Sequence, residues 1–137
     1  MTCTQLIYAS QPFGFDEMTL AEILNSARYH NKRNGITGSL ICRGDLFLQM
    51  LEGETEAVES TYARIVRDGR HVGAKRIWSG EAPERLFAGW EMRHDPMRSW
   101  MWSREEVKAG AARNASGEEA LGVFRRVAAE PAEPAEV

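Results

Sequence analysis

The chain has 137 residues, and 17 Lys and Arg set against 20 Asp and Glu leave a formal charge of −3. That length suits one compact domain with an ordinary core, leaves no room for a second catalytic domain, and gives no electrostatic pull toward a polyanion. A hydrophobic fraction of 43% and a charged fraction of 27% exclude a disordered or collagen-like chain, and no apolar run approaches the roughly 18 residues of a membrane helix.

The N-terminal residues lack a basic stretch followed by an apolar one, so the expectation is a cytoplasmic protein without a secretory signal. Cys3 and Cys42 have no CxxC or CxxH companion, which argues against a disulfide framework and structural zinc. His30, His71 and His94 show no ligand spacing for a metal.

In chain order, residues 5–10 alternate as a strand, and residues 11–16, with their Pro, Gly and Phe, form a loop. Thr19 followed by Glu22 has the spacing of a capping box and predicts a helix start. Leu20, Ile23, Leu24, Ala27 and Asn31 share the inner face of that helix, which Gly35 closes as a left-handed cap. Residues 36–42 and 46–51 predict a hairpin turning at Gly44, where glycine supplies the awkward backbone angle. A second helix is expected over 55–68, with Val58, Tyr62, Ile65 and Val66 inward. Residues 74–80 and 88–93 predict two further strands, separated by residues 81–87. The mixed-charge stretch 103–127 suits two short helices, interrupted at Gly110 and over 114–117. Residues 129–137 have nothing to bury and are expected to fray.

The order βαββαββ predicts an α/β, ferredoxin-like sandwich with two helices on one face of a five-stranded mixed sheet, extended by short C-terminal helices. The division that follows is a domain over 1–95, a helical extension over 96–128 packing on it, and an Ala/Glu/Pro tail over 129–137. The C-terminal region, 96–137, is either a lid on the open sheet face or a surface for a partner; Trp100, Met101 and Trp102 favour the lid, since a cluster of that size does not stay in water. The groove between the helices is the expected concavity.

Three polar residues interrupt the apolar pattern there. Gln49 lies mid-strand in an apolar run, and a buried amide without partners costs about 1–3 kcal/mol, so it needs hydrogen bonds. Tyr8 is a phenol in an otherwise apolar strand, and Asn31 ends the inner face of the first helix. Read singly, they are a core amide held by backbone, a core aromatic, and a residue solvating a helix end. Read together, they converge on one groove whose apolar walls are Ile23 and Ile65, a site for a planar heteroaromatic ligand with edge carbonyl and NH groups. Arg64 and Asp68, spaced i and i+4, make either an ordinary surface bridge or a polar rim.

The segments LIYAS (6–10), HNKRNGITGSL (30–40), FLQMLEG (47–53), RIVRDGRH (64–71) and FAGWEMR (87–93) resemble the BLUF family of flavin-binding blue-light sensors. The resemblance covers about the first 95 residues and looks like the short stand-alone members. It implies non-covalently bound FAD, with FMN or riboflavin also admissible. It further implies that Tyr8 donates an electron and proton on photoexcitation, and that Gln49 then rearranges its hydrogen bonds to give a reversible, red-shifted signalling state. By the same carry-over, Asn31 holds the pyrimidine-like edge of the ring, while Ile23 and Ile65 sandwich it. Leu24, His30, Lys32, Arg64 and Asp68 also match cofactor-binding positions, and Trp90 and Met92 match a relay on the fifth strand.

Glutamine suits such a switch because its carbonyl accepts while its NH2 donates, so turning the amide rewrites a bonding pattern at constant volume. The expected output is a signal to an unidentified downstream protein through the fifth strand and C-terminal helices, with no catalytic output domain, no nucleic acid and no membrane; the sequence admits a homodimer. Two other readings share the architecture. An acylphosphatase-like hydrolase needs an Arg in the loop after the first strand, and residues 11–15 have none. An RNA binder needs exposed aromatics on the third strand and a basic surface, and neither is expected here.

Overall fold

The computed structural model describes residues 2–14 and 16–132. Its elements are β1 (Cys3–Pro12), α1 (Glu17–Asn34), β2 (Thr37–Arg43), β3 (Leu46–Gly53), α2 (Thr55–Val66), β4 (His71–Ala82), β5 (Arg93–Pro96), α3 (Arg104–Lys108) and α4 (Gly117–Ala129). The five strands form one sheet in the order β4-β1-β3-β2-β5. β1 pairs antiparallel with β3 and β4, and β2 pairs antiparallel with β3. β5 runs parallel to β2 along its outer edge. This is the predicted ferredoxin-like α/β sandwich with one added strand.

Strand residues alternate between two buried layers because successive side chains leave opposite faces of a sheet. Leu6, Tyr8, Leu40, Cys42, Phe47 and Leu51 share one layer with Ile23 and Leu24 of α1 and Val58 of α2. Ile7, Ala9, Ile41, Leu46, Leu48 and Met50 share the other with Ala120, Phe124 and Val127 of α4. Every residue of β3 is buried, as its place in the middle of a sheet covered on both sides requires. Trp100, Met101 and Trp102 pack against the α4 layer, as a lid would.

Several boundaries differ from the sequence reading, each for a physical reason. Helix α1 starts three residues earlier, because Asp16 rather than Thr19 is its N-cap and accepts the Thr19 amide at 2.7 Å; Asp is as good a capping acceptor as Thr. The C-cap is as expected: Gly35 at φ 68° donates its N–H to the Asn31 carbonyl. The β2–β3 turn closes at Gly44 and Asp45, and Gly44 is not among the positive-φ glycines. Helix α2 ends at Val66, leaving that side chain 49% exposed instead of inward.

The largest correction concerns the last strand. Residues 88–92 form an irregular connection turning at Gly89, with φ 87°, and the strand is Arg93–Pro96. Its buried members are Arg93 and Asp95, so neither hydrophobicity nor alternation marks it. Two C-terminal helices occur where expected, α3 and α4. Most of the tail, residues 133–137, lies outside the described residues. Among the described residues, no helix is long and apolar enough to cross a membrane, and no cluster of three His, Cys, Asp or Glu side chains is placed to hold a metal.

Candidate functional site

Tyr8 of β1 and Gln49 of β3 are direct cross-strand partners, which in an antiparallel pair brings their Cβ atoms to about 4.5–5.5 Å. Both side chains lie on the face toward α1 and α2. The Tyr8 hydroxyl donates to Gln49 Oε1, and Gln49 Nε2 donates to Met92 Sδ at 3.2 Å. The carboxamide is thus spent at both ends, on a phenol and on a thioether. The thioether is a weak acceptor, so the NH2 end is the more easily exchanged of the two.

Tyr8 has no exposed surface and is flanked by the rings of Tyr62, centroid 5.4 Å away, and His71, 6.0 Å away. Burial, reinforced by Tyr62 and Asp68, holds its pKa well above that of an ordinary phenol. At neutral pH it therefore keeps its proton and serves as donor. His71 is pushed down to about 4, chiefly by burial, with Asp68 opposing and Arg70 adding to the shift. It is neutral at pH 7, with Nδ1 3.0 Å from Ser10 Oγ.

Beside the pair opens a cavity of about 200 Å³. Its floor is Gln49 and Leu51 of β3, its walls are Ile23 and Ala27 of α1 and Thr61 and Ile65 of α2, and His30, Asn31, Arg64, Asp68, Arg70 and His71 stand around it together with Ser26. Asn31 is 1% exposed and donates through Nδ2 to the Glu91 carbonyl at 2.6 Å. Of the two readings of Arg64 and Asp68, the rim is what their positions show: both line the cavity, and they do not pair with each other. The chain leaves the helix after Val66, and Asp68 instead pairs with Arg70 at 2.6 Å. That pairing, first through the Arg70 side chain, holds the Asp68 carboxyl below the usual carboxylate range. Arg64 makes no ion pair among the described residues; its charge, after burial, helps to lower the His30 pKa.

The structure thus brings Ile23, His30, Asn31, Gln49, Arg64, Ile65 and Asp68 together around one cavity. Tyr8 stands behind Gln49. Leu24 is buried in the layer beneath, Lys32 is exposed on α1, and neither lines the cavity. Met92 is buried against Gln49, whereas Trp90 is 44% exposed; both precede the fifth strand instead of lying on it. Sequence reasoning passed over Ser26, Leu51, Thr61, Arg70 and His71 as site members. His71 opens β4 facing the helices only because the β1–β4 register shifts between Lys75 and Val72; strict alternation from Ala74 would turn it away, so periodicity gave no signal for it.

The cavity fits the isoalloxazine end of a flavin. Isoleucines from two helices supply apolar walls, carboxamides at Asn31 and Gln49 match a ring edge bearing both carbonyl and NH groups, and Arg64 leaves positive charge at the rim for a phosphorylated tail, with His30 beside it as a neutral hydrogen-bonding group. The loop after β1 offers no arginine to cradle a phosphate, and a hydrolase reading has no support.

Comparison with known proteins agrees. Residues 3–93 match the BLUF family model, described as sensors of blue light using FAD. The chain is 34% identical over 87 residues to the photoactivated adenylate cyclase subunit beta of Euglena gracilis, covering 63% of this chain and 10% of that protein. It is 34% identical over 92 residues to the blue light- and temperature-regulated antirepressor BluF of Escherichia coli (strain K12), covering 65% of this chain and 23% of that protein. The chain therefore spans about a tenth to a quarter of the length of these two relatives. Among solved structures it superposes on the BlsA photo-activated state with a TM-score of 0.78 at 27% identity, covering 97% of this chain and 99% of that one. It also superposes on the dark state of BlrB, a BLUF protein, at 0.74 and 28%, covering 93% and 96%. With its groove, its Tyr8–Gln49 pair and a family match over most of its length, this chain belongs to the BLUF family of flavin-binding blue-light sensors.

Proposed function

We propose that residues 1–95 sense blue light through bound FAD, that residues 96–128 form the output extension, and that the signal passes to a downstream protein with no catalysis by this chain. FAD supplies the visible absorption and the redox chemistry that side chains lack. Ile23 and Ile65 clamp the ring, Asn31 and Gln49 meet its polar edge, and Arg64 and His30 face the charged tail. Asp68 acts by holding Arg70, and Leu24 and Lys32 support the site from beneath and from the helix surface.

With flavin bound, Tyr8 would be the donor of one electron and its phenolic proton, both to the photoexcited flavin. The buried Tyr8 hydroxyl has Gln49 as acceptor, so loss of that proton removes the bond that fixes the carboxamide. Gln49 then turns, and its NH2 leaves Met92. The observation that carries this reading is the chain of contacts Tyr8 to Gln49 to Met92, which ties the photochemical residue to the segment entering β5.

From there a buried ionic knot leads outward. Asp95, fully buried, accepts from Ser39 Oγ at 2.6 Å and pairs with Arg93 and Arg98, each at 3.1 Å. Arg93 Nη2 donates to the Glu130 carbonyl at 2.8 Å, and Arg98 Nε pairs with the Glu130 carboxylate at 3.1 Å. A shift at Met92 thereby bears on the C-terminal end of α4, the two-state element a local signal needs.

The test is an absorption spectrum of the FAD-loaded protein before and after a blue flash. The native chain should be yellow and shift reversibly to the red. Tyr8→Phe should stay yellow and show no shift. A protein that takes up no FAD, or a Tyr8→Phe variant that shifts like the native one, would refute the reading.

A further inference from the structure

The segment between β4 and β5 is held to α1 and β3 at three points. Asn31 Nδ2 donates to the Glu91 carbonyl, Gln49 Nε2 to Met92 Sδ, and Arg28 Nε to the Met92 carbonyl at 3.1 Å. Midway, the Gly38 amide donates to the Trp90 carbonyl at 3.1 Å. Residues 86–92 therefore form a strap laid along the edge of β2, and its far end is fixed by a group that no part of the light chemistry uses.

That group is Glu52 of β3, three residues beyond Gln49 and with no exposed surface. Its Oε2 accepts the Gln5 side-chain amide at 2.8 Å and the Leu86 backbone amide at 2.6 Å. Its Oε1 accepts the Thr37 hydroxyl at 3.1 Å and the Phe87 backbone amide at 3.0 Å. Four donors thus fill both oxygens, two of them successive main-chain amides at the start of the strap. Arg85 reinforces the junction, donating to the Gly35 carbonyl at 2.9 Å and Thr37 Oγ1 at 3.1 Å.

Buried carboxylates are expensive unless fully hydrogen-bonded, and nothing in a strand's own ladder requires one here. Gln49 and Glu52 lie on the same strand, so the strap is tied to β3 at both ends: by a strong charge-assisted clamp at residues 86 and 87, and by the weak amide–thioether contact at Met92. Only the second end responds to the carboxamide.

We propose that Glu52 is a positioning residue for the light response: it anchors the strap so that Met92 is presented to Gln49, and it sets how readily Gln49 returns to its dark arrangement. This rests on the sensor reading above. Loosening the anchor weakens the arrangement in which Met92 accepts from Gln49, and return to the dark state slows.

Glu52→Gln tests it in the full-length, FAD-loaded protein, because exchanging one oxygen for NH2 leaves Leu86 or Phe87 without its acceptor. The expected result has two parts: amide hydrogen exchange at least tenfold faster at Leu86, Phe87 and Trp90 in the dark, and recovery after a flash at least threefold slower. Arg85→Met, which leaves the carboxylate in place, should shift both in the same direction by less, and it carries the test should Glu52→Gln fail to fold. A purely local role would speed exchange at residues 86 and 87 while recovery changed by less than threefold, and that result overturns the proposal. Unchanged exchange overturns it even in a protein with no light response, whereas absence of a red shift in the native chain counts against the sensor reading instead.

Discussion

The two faces of the sheet are built from alternate residues of the same strands, yet they do opposite things. The face under α4 is closed: Phe87 and Phe124 meet edge to face with ring centroids 6.2 Å apart, Ile7, Leu48 and Met50 have no exposed surface, and the polar groups buried at its margin, Gln5 with Glu52 and Ser39 with Asp95, are hydrogen-bonded to one another. The face under α1 and α2 carries Tyr8, Gln49 and Asn31 in otherwise apolar rows and leaves a cavity of about 200 Å³ beside them. One face supplies cohesion, and the other gives up close packing to keep a site. A one-residue slip in the register of β3 would exchange the two.

The largest effect should come from breaking the closed face. Phe124→Ala should lower unfolding free energy by about 3–5 kcal/mol, measured by urea denaturation, while leaving the amplitude of the red shift per bound flavin unchanged in the protein that remains folded. An equal loss in light response would mean that the faces are not separable in this way.

On the open face, His71 offers a pH test. Its pKa of about 4 lies below the ordinary value near 6.5, so the unfolded chain binds the proton more readily. Stability is therefore full above about pH 6.5 and falls as the pH drops toward 4, by about 2–3 kcal/mol at pH 4.5. His71→Gln should remove most of that extra acid sensitivity when denaturation curves at pH 7 and pH 4.5 are compared.

The smallest effect separates the faces most finely. Ile7→Val in the closed layer should cost about 0.5–1.5 kcal/mol. Ile23→Val, at the cavity wall, should cost less in the FAD-free protein because space already adjoins it, yet weaken FAD binding in a fluorescence titration. Equal costs with unaltered FAD affinity would remove Ile23 from the site.

Much of this was legible in the residues because periodicity reports burial. The period-two alternation of β1 and β3 placed Tyr8 and Gln49 on the helix side, and the 3.6-residue repeat of α1 aimed Ile23 and Asn31 at the same groove. What escaped was whatever hydrophobicity does not encode. β5 buries an Arg93–Asp95 pair and ends in proline, which an outer strand tolerates, so it reads as loop, while residues 88–92 before it, with Trp90 and Met92 in alternation, read as strand although Gly89 turns the chain there. The Asp68–Arg70 pair depends on where α2 stops, and the four donors around Glu52 come from β1, β2 and the strap, contacts that no local pattern announces.

The central claim is that one carboxamide reads the light. The chain has three glutamines, Gln5, Gln11 and Gln49, so the side-chain NH2 resonances of ¹⁵N-labelled, FAD-loaded protein give a direct record, in the dark and under continuous blue light. The Gln49 pair should move on illumination and return in the dark at the rate of the absorption change, while those of Gln5, held on Glu52, and of exposed Gln11 stay in place. A full red shift with the Gln49 pair unmoved would contradict the account.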